Sequence, residues 1–424
     1  MAALLYAASL LNTMVTWRSN RLDFSHYYVS SLMMRQGADP YLDDIKPVAT
    51  SLGLDVRTIT LATYPPTFLL CFEPLTLLDP LPAYYLWSVI NIAALALTIY
   101  LLFDGLSANY KSRVLLLGLV VFYPPITDNF FWAQTQILML LAIVLFMRWL
   151  ESGRPALAGA ILGLAGLLKI FPLLLVVYLL LRRQWKALCY VVLVIAIGGI
   201  VTLGFVGVDR SINFLTSIPT VTSQHWLGRM NNVALVAIIS HLFWYPAAHH
   251  IGPLAGLAAN LSPGLEMTRR VVVALAQLAV FALTIYATLK SSRLSDDGDE
   301  HVIALWVVAT VLLAPTAWVH YLTLFLLPYA ILLRLYLRGE APHRAASLGL
   351  ASFVVGELLI VVNLLGLLRP TELIRDITFW ATLIGWPMSM LLGFAAISFL
   401  AIGAKSRPSF ATADNLKASR AIPA

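Results

Sequence analysis

The chain has 424 residues, of which 60% are hydrophobic and only 12% are charged. Soluble globular domains carry about 45–50% apolar and about 25% charged residues, so this composition excludes a soluble enzyme, a disordered chain and a coiled coil. It predicts an all-α polytopic membrane protein. We attribute the net charge of +7 to basic residues beside membrane helices and do not expect a nucleic-acid partner.

Apolar segments recur along the whole chain, and a spanning helix needs about 20 such residues. They predict about twelve transmembrane helices, several of them short, at residues 1–16, 81–103, 114–124, 134–147, 156–168, 171–181, 187–208, 271–289, 302–314, 322–337, 348–368 and 377–402. The first segment lacks a basic lead and a small-residue cleavage site, so we expect a retained helix and not a removed signal peptide. The expected organisation is one transmembrane domain, residues 1–404, with a cytoplasmic tail, residues 405–424.

Basic residues cluster in alternate short loops, whereas the turns at residues 125–130 and 315–320 hold none. Because cytoplasmic loops carry an excess of lysine and arginine, the basic loops and both termini are predicted to be cytoplasmic. The two long loops, residues 17–80 and 209–270, then lie outside. We therefore expect the chemistry on the extracytoplasmic side of the plasma membrane.

The apolar segment 155–181 has basic residues at both ends but is too short for two full spans. Each half reaches about 20 Å at a rise of about 1.5 Å per residue, against a hydrocarbon core of about 30 Å. We predict a hairpin of two short helices that turns at residues 169–172. Gly159, Gly163 and Gly166 share one helix face and permit close packing. Such a turn must be buried in protein, because lipid cannot satisfy its backbone.

The first long loop opens with aromatic residues at helical spacing. Phe24, Tyr27, Tyr28 and Leu32 predict an amphipathic helix at the membrane interface, ended by the glycine and proline that follow. Asp23, at the start of this helix, has two compatible interpretations. It can cap the helix, and it can act as a general base.

Two further carboxylates follow proline-rich turns. Glu73 lies in an apolar, proline-broken stretch after Tyr64-Pro65-Pro66; we place it at headgroup level, with a buried functional carboxylate as the alternative. Asp128, after Tyr123-Pro124-Pro125, is interpreted as a helix cap.

Lys169 is the most informative single residue, because a lysine at the centre of a membrane helix costs about 2.5–3.5 kcal/mol. We favour a phosphate contact, since an ammonium group binds phosphate as a point charge. The alternative is an internal ion pair, for example with Glu357. His320 lies in a short polar turn beside Trp318 and Tyr321. There it can contact phosphate, move a proton, or serve packing alone.

Taken in order, these motifs resemble a known family. They are Asp23-Phe24 with Tyr27-Tyr28, Gly37-Ala38-Asp39-Pro40-Tyr41, Tyr64-Pro65-Pro66, Lys169-Ile170-Phe171-Pro172 and Pro315…Trp318…His320-Tyr321. In this order and spacing the chain resembles glycosyltransferase family 87, the bacterial membrane mannosyltransferase-like enzymes with the GT-C fold. It departs from the family pattern at Gln134-Thr135-Gln136. A Gly-Gln pair is common at this place in the family, and here Ala133 stands where the glycine is expected.

The resemblance implies a GT-C-like bundle of about twelve transmembrane helices, with interfacial helices in the two outer loops. It implies that a hexose, most of all mannose, passes from a polyprenyl-phosphate donor to a lipid-linked or glycan acceptor. Asp23 matches the catalytic aspartate, the base of an inverting displacement. The residues expected near the donor phosphate are Lys169, His320 and Tyr64. Further candidates for substrate binding are Tyr27, Tyr28, Asp39, Tyr41, Gln134, Trp318 and Asn232.

No metal-binding constellation is present in the sequence, so we expect a reaction without a metal or other cofactor. Two other functional classes are alternatives. A twelve-helix secondary transporter usually shows repeated halves; here we find no such repeat, and the link between the sixth and seventh passes, residues 182–186, is very short. A lipid-binding or scaffold protein without catalysis is the third class. The long outer loops and the N-terminal carboxylate favour the enzyme.

Overall fold

The computed structural model describes residues 22–56, 61–105, 110–121, 123–221, 224–229, 232–244, 261–291, 299–337, 347–349, 351–352 and 386–403. The regular secondary structure in these ranges is helical, with one isolated β-bridge between Asn232 and Trp318. The predicted all-α class is therefore confirmed for the described residues. The predicted helix 1–16, most of the predicted helix 348–368 and the tail lie outside them.

The α-helices are numbered along the chain. They are α1 (Leu22–Arg35), α2 (Lys46–Ser51), α3 (Pro66–Phe72), α4 (Pro80–Gly105), α5 (Tyr110–Val121), α6 (Pro124–Trp132), α7 (Gln136–Glu151), α8 (Pro155–Leu168), α9 (Leu175–Leu181), α10 (Trp185–Val206), α11 (Val208–Val221), α12 (Gln224–Leu227), α13 (Leu235–Trp244), α14 (Pro263–Lys290), α15 (Glu300–Leu313), α16 (Leu326–Leu337) and α17 (Trp386–Gly403). Three 3-10 segments precede or follow them, at Glu73–Leu77, Phe171–Leu174 and Val319–Phe325.

Four helices of the described part are long and apolar enough to cross a membrane: Pro80–Phe103, Trp185–Val206, Pro263–Lys290 and Val319–Leu337. Each coincides with a predicted span, which supports a multi-pass membrane protein. Shorter apolar helices are Pro66–Leu77, Pro155–Leu168, Phe171–Leu181, Leu235–Trp244, Glu300–Leu313 and Ser389–Gly403. The count of twelve passes stays a prediction.

Two predicted boundaries are wrong. Helix α5 ends at Val121, and Pro124 begins the separate helix α6, because proline suits the first turn of a helix and not its interior. Helix α14 begins at Pro263, before the predicted residue 271. The Ser262 hydroxyl accepts the N–H of Leu265 at 3.4 Å, which caps this earlier start. The second long loop is therefore shorter than predicted and contains helices α11, α12 and α13.

Helix α1 forms where the aromatic spacing predicts it, but it is buried on every side. Residues 24–34 are all buried, since α2, α3, α6 and the 3-10 segment after α3 pack around the helix. The predicted burial of one face alone is therefore wrong. The helix ends as predicted near Gly37, whose φ is 89°. The Ala38 N–H donates to Met33 O at 3.0 Å and the Gly37 N–H to Met34 O at 3.1 Å, a Schellman motif.

The segment of the predicted hairpin contains two short helices on either side of a turn: α8, the turn at Lys169, a 3-10 segment and α9. That α9 folds back along α8 stays a prediction. A Cβ on Gly159 would clash with the backbone of α10, and one on Gly163 would lie 3.0 Å from a carbonyl oxygen of α10. The backbones of α8 and α10 therefore approach closely, as the shared glycine face predicts. Gly166 instead faces the side chain of Leu173 beyond the turn. This packing fixes the position of Lys169, which follows α8 in an extended conformation.

The buried hydrophobic residues form two clusters. One is centred on α1, α3 and the start of α4, and the other on α7, α8, α9, α15 and α16. Leu138 and Leu168 pack against both clusters. Lys169 comes directly after Leu168, so it lies where the two clusters meet.

Candidate active site

The Asp23 carboxyl faces other side chains and not the helix end. Helix α1 begins at Leu22 and places Asp23 within its first turn, so the predicted N-cap role is wrong. The Tyr64 hydroxyl donates to Asp23 Oδ1 at 3.2 Å, and the side chain of Gln134 lies close enough to act on the carboxyl. Asp23 keeps part of its surface accessible. It is therefore a hydrogen-bonded carboxyl that a substrate can still reach.

Gln134 joins three of the candidate residues. Its Oε1 accepts the Tyr27 hydroxyl at 3.2 Å and the Lys169 ammonium at 3.4 Å, and its side chain lies close enough to Asp23 to act on that carboxyl. The chain reaches this place because α6 ends at Trp132 and is followed by Ala133, which has φ 56°. This left-handed conformation favours glycine. It turns the backbone so that Gln134 is buried before α7 begins.

The Lys169 ammonium is held by neutral groups. Its Nζ donates to Thr135 Oγ1 at 3.1 Å and lies 4.8 Å from the ring centroid of Tyr321, a cation–π contact. Within the described ranges no carboxylate forms a direct ion pair with it. Glu357 lies outside these ranges, so the predicted pair with Glu357 stays a prediction. The arrangement leaves positive charge available to an anionic ligand.

His320 is buried, with only 4% of its surface exposed, and it is paired with Asp128. Its Nδ1 lies 3.2 Å from Asp128 Oδ2, while the Trp132 indole N–H donates to Asp128 Oδ1 at 3.0 Å. Since Pro124 begins α6, Asp128 lies in the middle of that helix, and its interpretation as a cap is wrong. Sequence reasoning missed this pair, although both residues follow proline-containing turns assigned to the outer side.

The groups around Asp23 change its pKa in opposite directions. Burial raises the pKa of the Asp23 carboxyl above its usual range, because a low dielectric disfavours the carboxylate. The charge of His320, the hydrogen bond from Gln134, the charge of Lys169 and the hydrogen bond from Tyr64 each lower it. The site therefore combines a carboxyl of raised proton affinity with cationic side chains within electrostatic reach.

Two tyrosines of the first loop support Tyr64. Tyr27 is fully buried and packs edge-to-face on Tyr64, with ring centroids 4.5 Å apart. The Tyr41 hydroxyl donates to the backbone oxygen of Tyr64 at 2.7 Å. These contacts fix the ring whose hydroxyl reaches Asp23.

The other four candidate residues have their contacts elsewhere. The Tyr28 hydroxyl donates to Leu78 O at 2.7 Å, and Asp39 accepts from Asn213 Nδ2 at 2.7 Å. Asn232 Oδ1 accepts the backbone N–H groups of Ala234 and Ala317, each at 3.1 Å. Trp318 packs against Trp226, with centroids 5.6 Å apart. These contacts link separate segments of the chain, and none of them involves Asp23. Among the described residues, no group of three His, Cys, Asp or Glu side chains could hold a metal ion.

Residues 62–295, more than half of the chain, match the family model for glycosyltransferase family 87. An alpha-(1->3)-arabinofuranosyltransferase of Mycobacterium tuberculosis is 30% identical over 207 residues, 47% of this chain and 45% of the relative. A polyprenol-phosphate-mannose-dependent alpha-(1-2)-phosphatidylinositol pentamannoside mannosyltransferase of the same species is 28% identical over 266 residues, 61% and 55% of the two chains. The chain therefore matches about half the length of these relatives. Tyr64, Gln134 and Lys169 lie inside the matched range, whereas Asp23 and His320 lie outside it.

Two solved structures have weak overall similarity to this chain. ArnT from Cupriavidus metallidurans in the apo state has a TM-score of 0.35 at 16% identity, and ArnT bound to undecaprenyl phosphate has 0.34 at 15%. Each comparison covers 94% of this chain and 77% of the other. Similarity of this size does not establish a common fold.

Proposed function

We propose a reaction for this chain, which belongs to glycosyltransferase family 87. The chain transfers a sugar from a polyprenyl-phosphate donor to a hydroxyl of a lipid-linked or glycan acceptor, on the extracytoplasmic face of the plasma membrane. We propose mannose as the sugar, supported by the polyprenol-phosphate-mannose dependence in the name of one relative. The other relative is named for arabinofuranose, which makes arabinofuranose the competing donor sugar.

One observation carries this proposal: a network of contacts links the Asp23 carboxyl to the Lys169 ammonium through Tyr64, whose hydroxyl donates to Asp23 Oδ1 at 3.2 Å and whose ring centroid lies 5.9 Å from Lys169 Nζ. A sugar hydroxyl is a poor nucleophile until a positioned base takes its proton. The leaving phosphate gains negative charge as its bond to the sugar breaks, and nearby cations stabilise that charge. The network holds a base and a cation close together, which this reaction needs.

The proposed step is a single displacement. The acceptor oxygen attacks the anomeric carbon while its proton passes to Asp23. The bond between the anomeric carbon and the phosphate oxygen breaks, and polyprenyl phosphate leaves with the bonding electrons. Lys169 and His320 stabilise the phosphate, and Tyr64 orients the carboxyl. One displacement inverts the anomeric carbon, so a β-linked donor gives an α-linked product, and we expect no metal or other cofactor to take part.

We propose that the complete chain forms a GT-C-like bundle of about twelve transmembrane helices, with its tail in the cytoplasm. Helix α11 supports an interfacial position for the second outer loop. It follows the long apolar helix α10 after a single residue, and it exposes Val208, Ile212 and Leu215 along one face. Family membership favours this enzyme over the secondary transporter and over a scaffold without catalysis.

Asp23→Asn tests the proposal. Asparagine cannot accept the proton but keeps an oxygen that can accept from Tyr64. We expect transfer to fall by about 10²–10⁴-fold with an unchanged melting temperature. The assay uses purified protein in proteoliposomes, with polyprenyl-phosphate mannose and polyprenyl-phosphate arabinofuranose as alternative donors. Asp209→Asn, a matched change at an exposed aspartate of α11, should retain wild-type transfer.

The outcomes separate the parts of the proposal. Near-wild-type transfer by folded Asp23→Asn protein would reject the base assignment. Transfer of arabinofuranose without mannose would reject the sugar but keep the enzyme class. A wild-type protein that transfers neither sugar would reject the donors proposed here.

A further inference from the structure

Asp128 is a carboxylate that the proposed reaction does not yet use. Its two oxygens have different partners: the Trp132 indole N–H donates to Oδ1 at 3.0 Å, and Oδ2 lies 3.2 Å from His320 Nδ1. A carboxylate accepts hydrogen bonds and does not donate them, so the proton of this contact belongs to His320 Nδ1. Trp132 fixes the carboxylate from the other side.

The second ring nitrogen of His320 has no protein partner in the described part of the chain. Nε2 is buried and makes no hydrogen bond, although a buried polar group without a partner is costly. His320 is also close enough to Asp23 to act on it electrostatically. When Nε2 also carries a proton, a phosphate oxygen at the reaction site would accept it and supply the partner that Nε2 lacks.

The two elements that carry this pair are joined at other points. The Tyr123 hydroxyl, just before α6, donates to Leu322 O at 2.6 Å, and the Thr323 hydroxyl donates to Pro125 O at 3.0 Å. Helix α6 and the 3-10 segment Val319–Phe325 are therefore held together without Asp128. Loss of the Asp128 carboxylate should free the His320 ring without separating these elements.

We propose that Asp128 is a positioning residue for the transfer reaction: it accepts the Nδ1 proton of a His320 ring that carries a proton on both nitrogens, so that Nε2 can donate to the donor phosphate. The inference rests on the proposed function of the site. The hydrogen bond made by one ring nitrogen of histidine determines which form the other presents. Without the carboxylate, the ring loses the acceptor and the negative charge that favour a proton on both nitrogens, and it can rotate. The geometry assigns Asp128 to orientation of the ring and not to contact with the substrate.

Asp128→Asn is the informative variant, because asparagine keeps the shape of the carboxylate but removes the negative charge that stabilises a ring protonated on both nitrogens, and its amide nitrogen can donate only to an Nδ1 without a proton. We expect kcat to fall by about 10- to 100-fold, the usual effect of losing a group that orients a functional histidine. KM for polyprenyl-phosphate mannose should change little, since the lost interaction acts on the leaving phosphate in the transition state. In a His320→Gln background, Asp128→Asn should cause no further loss. Asp209→Asn again serves as the matched control.

A second readout does not depend on turnover. In protein labelled with ¹⁵N-histidine, the ring signal that disappears in His320→Gln identifies His320. We expect a protonated Nδ1 in the wild type and loss of that state in Asp128→Asn. If wild-type protein transfers no sugar, the proposed reaction fails, and this spectrum alone decides whether Asp128 positions the ring.

Three results would overturn the inference. They are an unchanged His320 spectrum in Asp128→Asn, wild-type kcat in that variant, or an equal further loss when it is added to His320→Gln. If Asp128→Asn does not fold, Trp132→Phe replaces it, because that variant keeps the carboxylate but removes one of its two hydrogen bonds. We then expect a fall in kcat of about 2- to 10-fold that is absent in the His320→Gln background. An unchanged kcat in Trp132→Phe would contradict the inference.

Discussion

Replacing Lys169 with methionine removes a charge while keeping an unbranched apolar side chain. The change removes hydrogen bonds to Thr135 and Gln134 and the cation–π contact with Tyr321. The bonds contribute about 0.5–1.5 kcal/mol each and the cation–π contact about 0.5–2 kcal/mol. Against this, a lysine in the membrane costs about 2.5–3.5 kcal/mol. The opposing effects are of similar size, so we expect little change in the free energy of unfolding.

Donor binding should respond quite differently. If the Lys169 ammonium contacts the donor phosphate, the lost charge-assisted hydrogen bond is worth about 1.5–3 kcal/mol. That corresponds to donor affinity weaker by about 10- to 150-fold. Lys169→Arg should recover part of the affinity only where the site accepts a planar guanidinium. The measurements are calorimetric titration of polyprenyl-phosphate mannose into purified protein and thermal unfolding of the same samples.

An internal ion pair with Glu357 predicts the reverse pattern. Lys169→Met would then leave a carboxylate without its partner and destabilise the protein by about 3–5 kcal/mol. Donor affinity per folded molecule would be unchanged, and Glu357→Gln would restore stability. This combination of results would refute the phosphate role of Lys169.

The same variant should change the pH dependence of transfer. The base must be deprotonated, so kcat/KM falls as the pH drops through the pKa of Asp23. Lys169 lowers that pKa, which burial raises. Removing Lys169 therefore raises the pKa of Asp23 further, and the acidic limb of the profile moves to higher pH. A limb in the same place for Lys169→Met and wild type would show that Lys169 does not act on the base.

Two further predictions concern Tyr64 and the orientation of the chain. Tyr64→Phe keeps the ring packed on Tyr27 but removes the hydroxyl that donates to Asp23. We therefore expect kcat/KM to fall by about 2- to 10-fold. Wild-type kinetics would contradict the proposal that Tyr64 orients the carboxyl. The orientation is tested in a chain whose two cysteines are replaced with serine. A new cysteine at the exposed position Thr50 should react with an impermeant thiol reagent in intact cells. A new cysteine at the exposed position Ser152 should not react. The opposite labelling would invert the proposed topology.

The long helices could be predicted from the sequence because hydropathy is a local signal. Runs of apolar residues mark α4, α10 and α14, and the hairpin turn at Lys169 follows from a polar residue beside Pro172. The burial of α1 could not be predicted in this way. Its aromatic spacing predicted one apolar face, yet the polar residues Ser25, His26 and Ser30 are buried as well. Within a helical bundle a polar side chain can face neighbouring helices. Amphipathic spacing alone therefore does not show which face of the helix is exposed to solvent.

Ala133 shows how a departure from the family pattern can be explained by the backbone. Its φ of 56° and ψ of 42° lie in the left-handed region, which costs a non-glycine residue about 1–2 kcal/mol. Glycine adopts this conformation without that cost, so the glycine that the family resemblance leads us to expect here would suit this turn. The turn is kept here with alanine, and the Trp87 indole N–H donates to Ala133 O at 2.8 Å. Gln134 therefore reaches Lys169 despite the substitution.

The Asp128–His320 pair could not be predicted from any local signal, because 192 residues separate its members. Each residue alone has a plain explanation, a helix cap for the aspartate and a packing residue for the histidine. The pair exists because Pro124 begins α6 early enough to place Asp128 one turn inside the helix, and because Tyr123 and Thr323 join that helix to the 3-10 segment. The chemistry at this position is therefore determined by how two proline-containing turns pack together. A variant that shifts the start of α6 should separate Asp128 from His320 even though it leaves both residues unchanged.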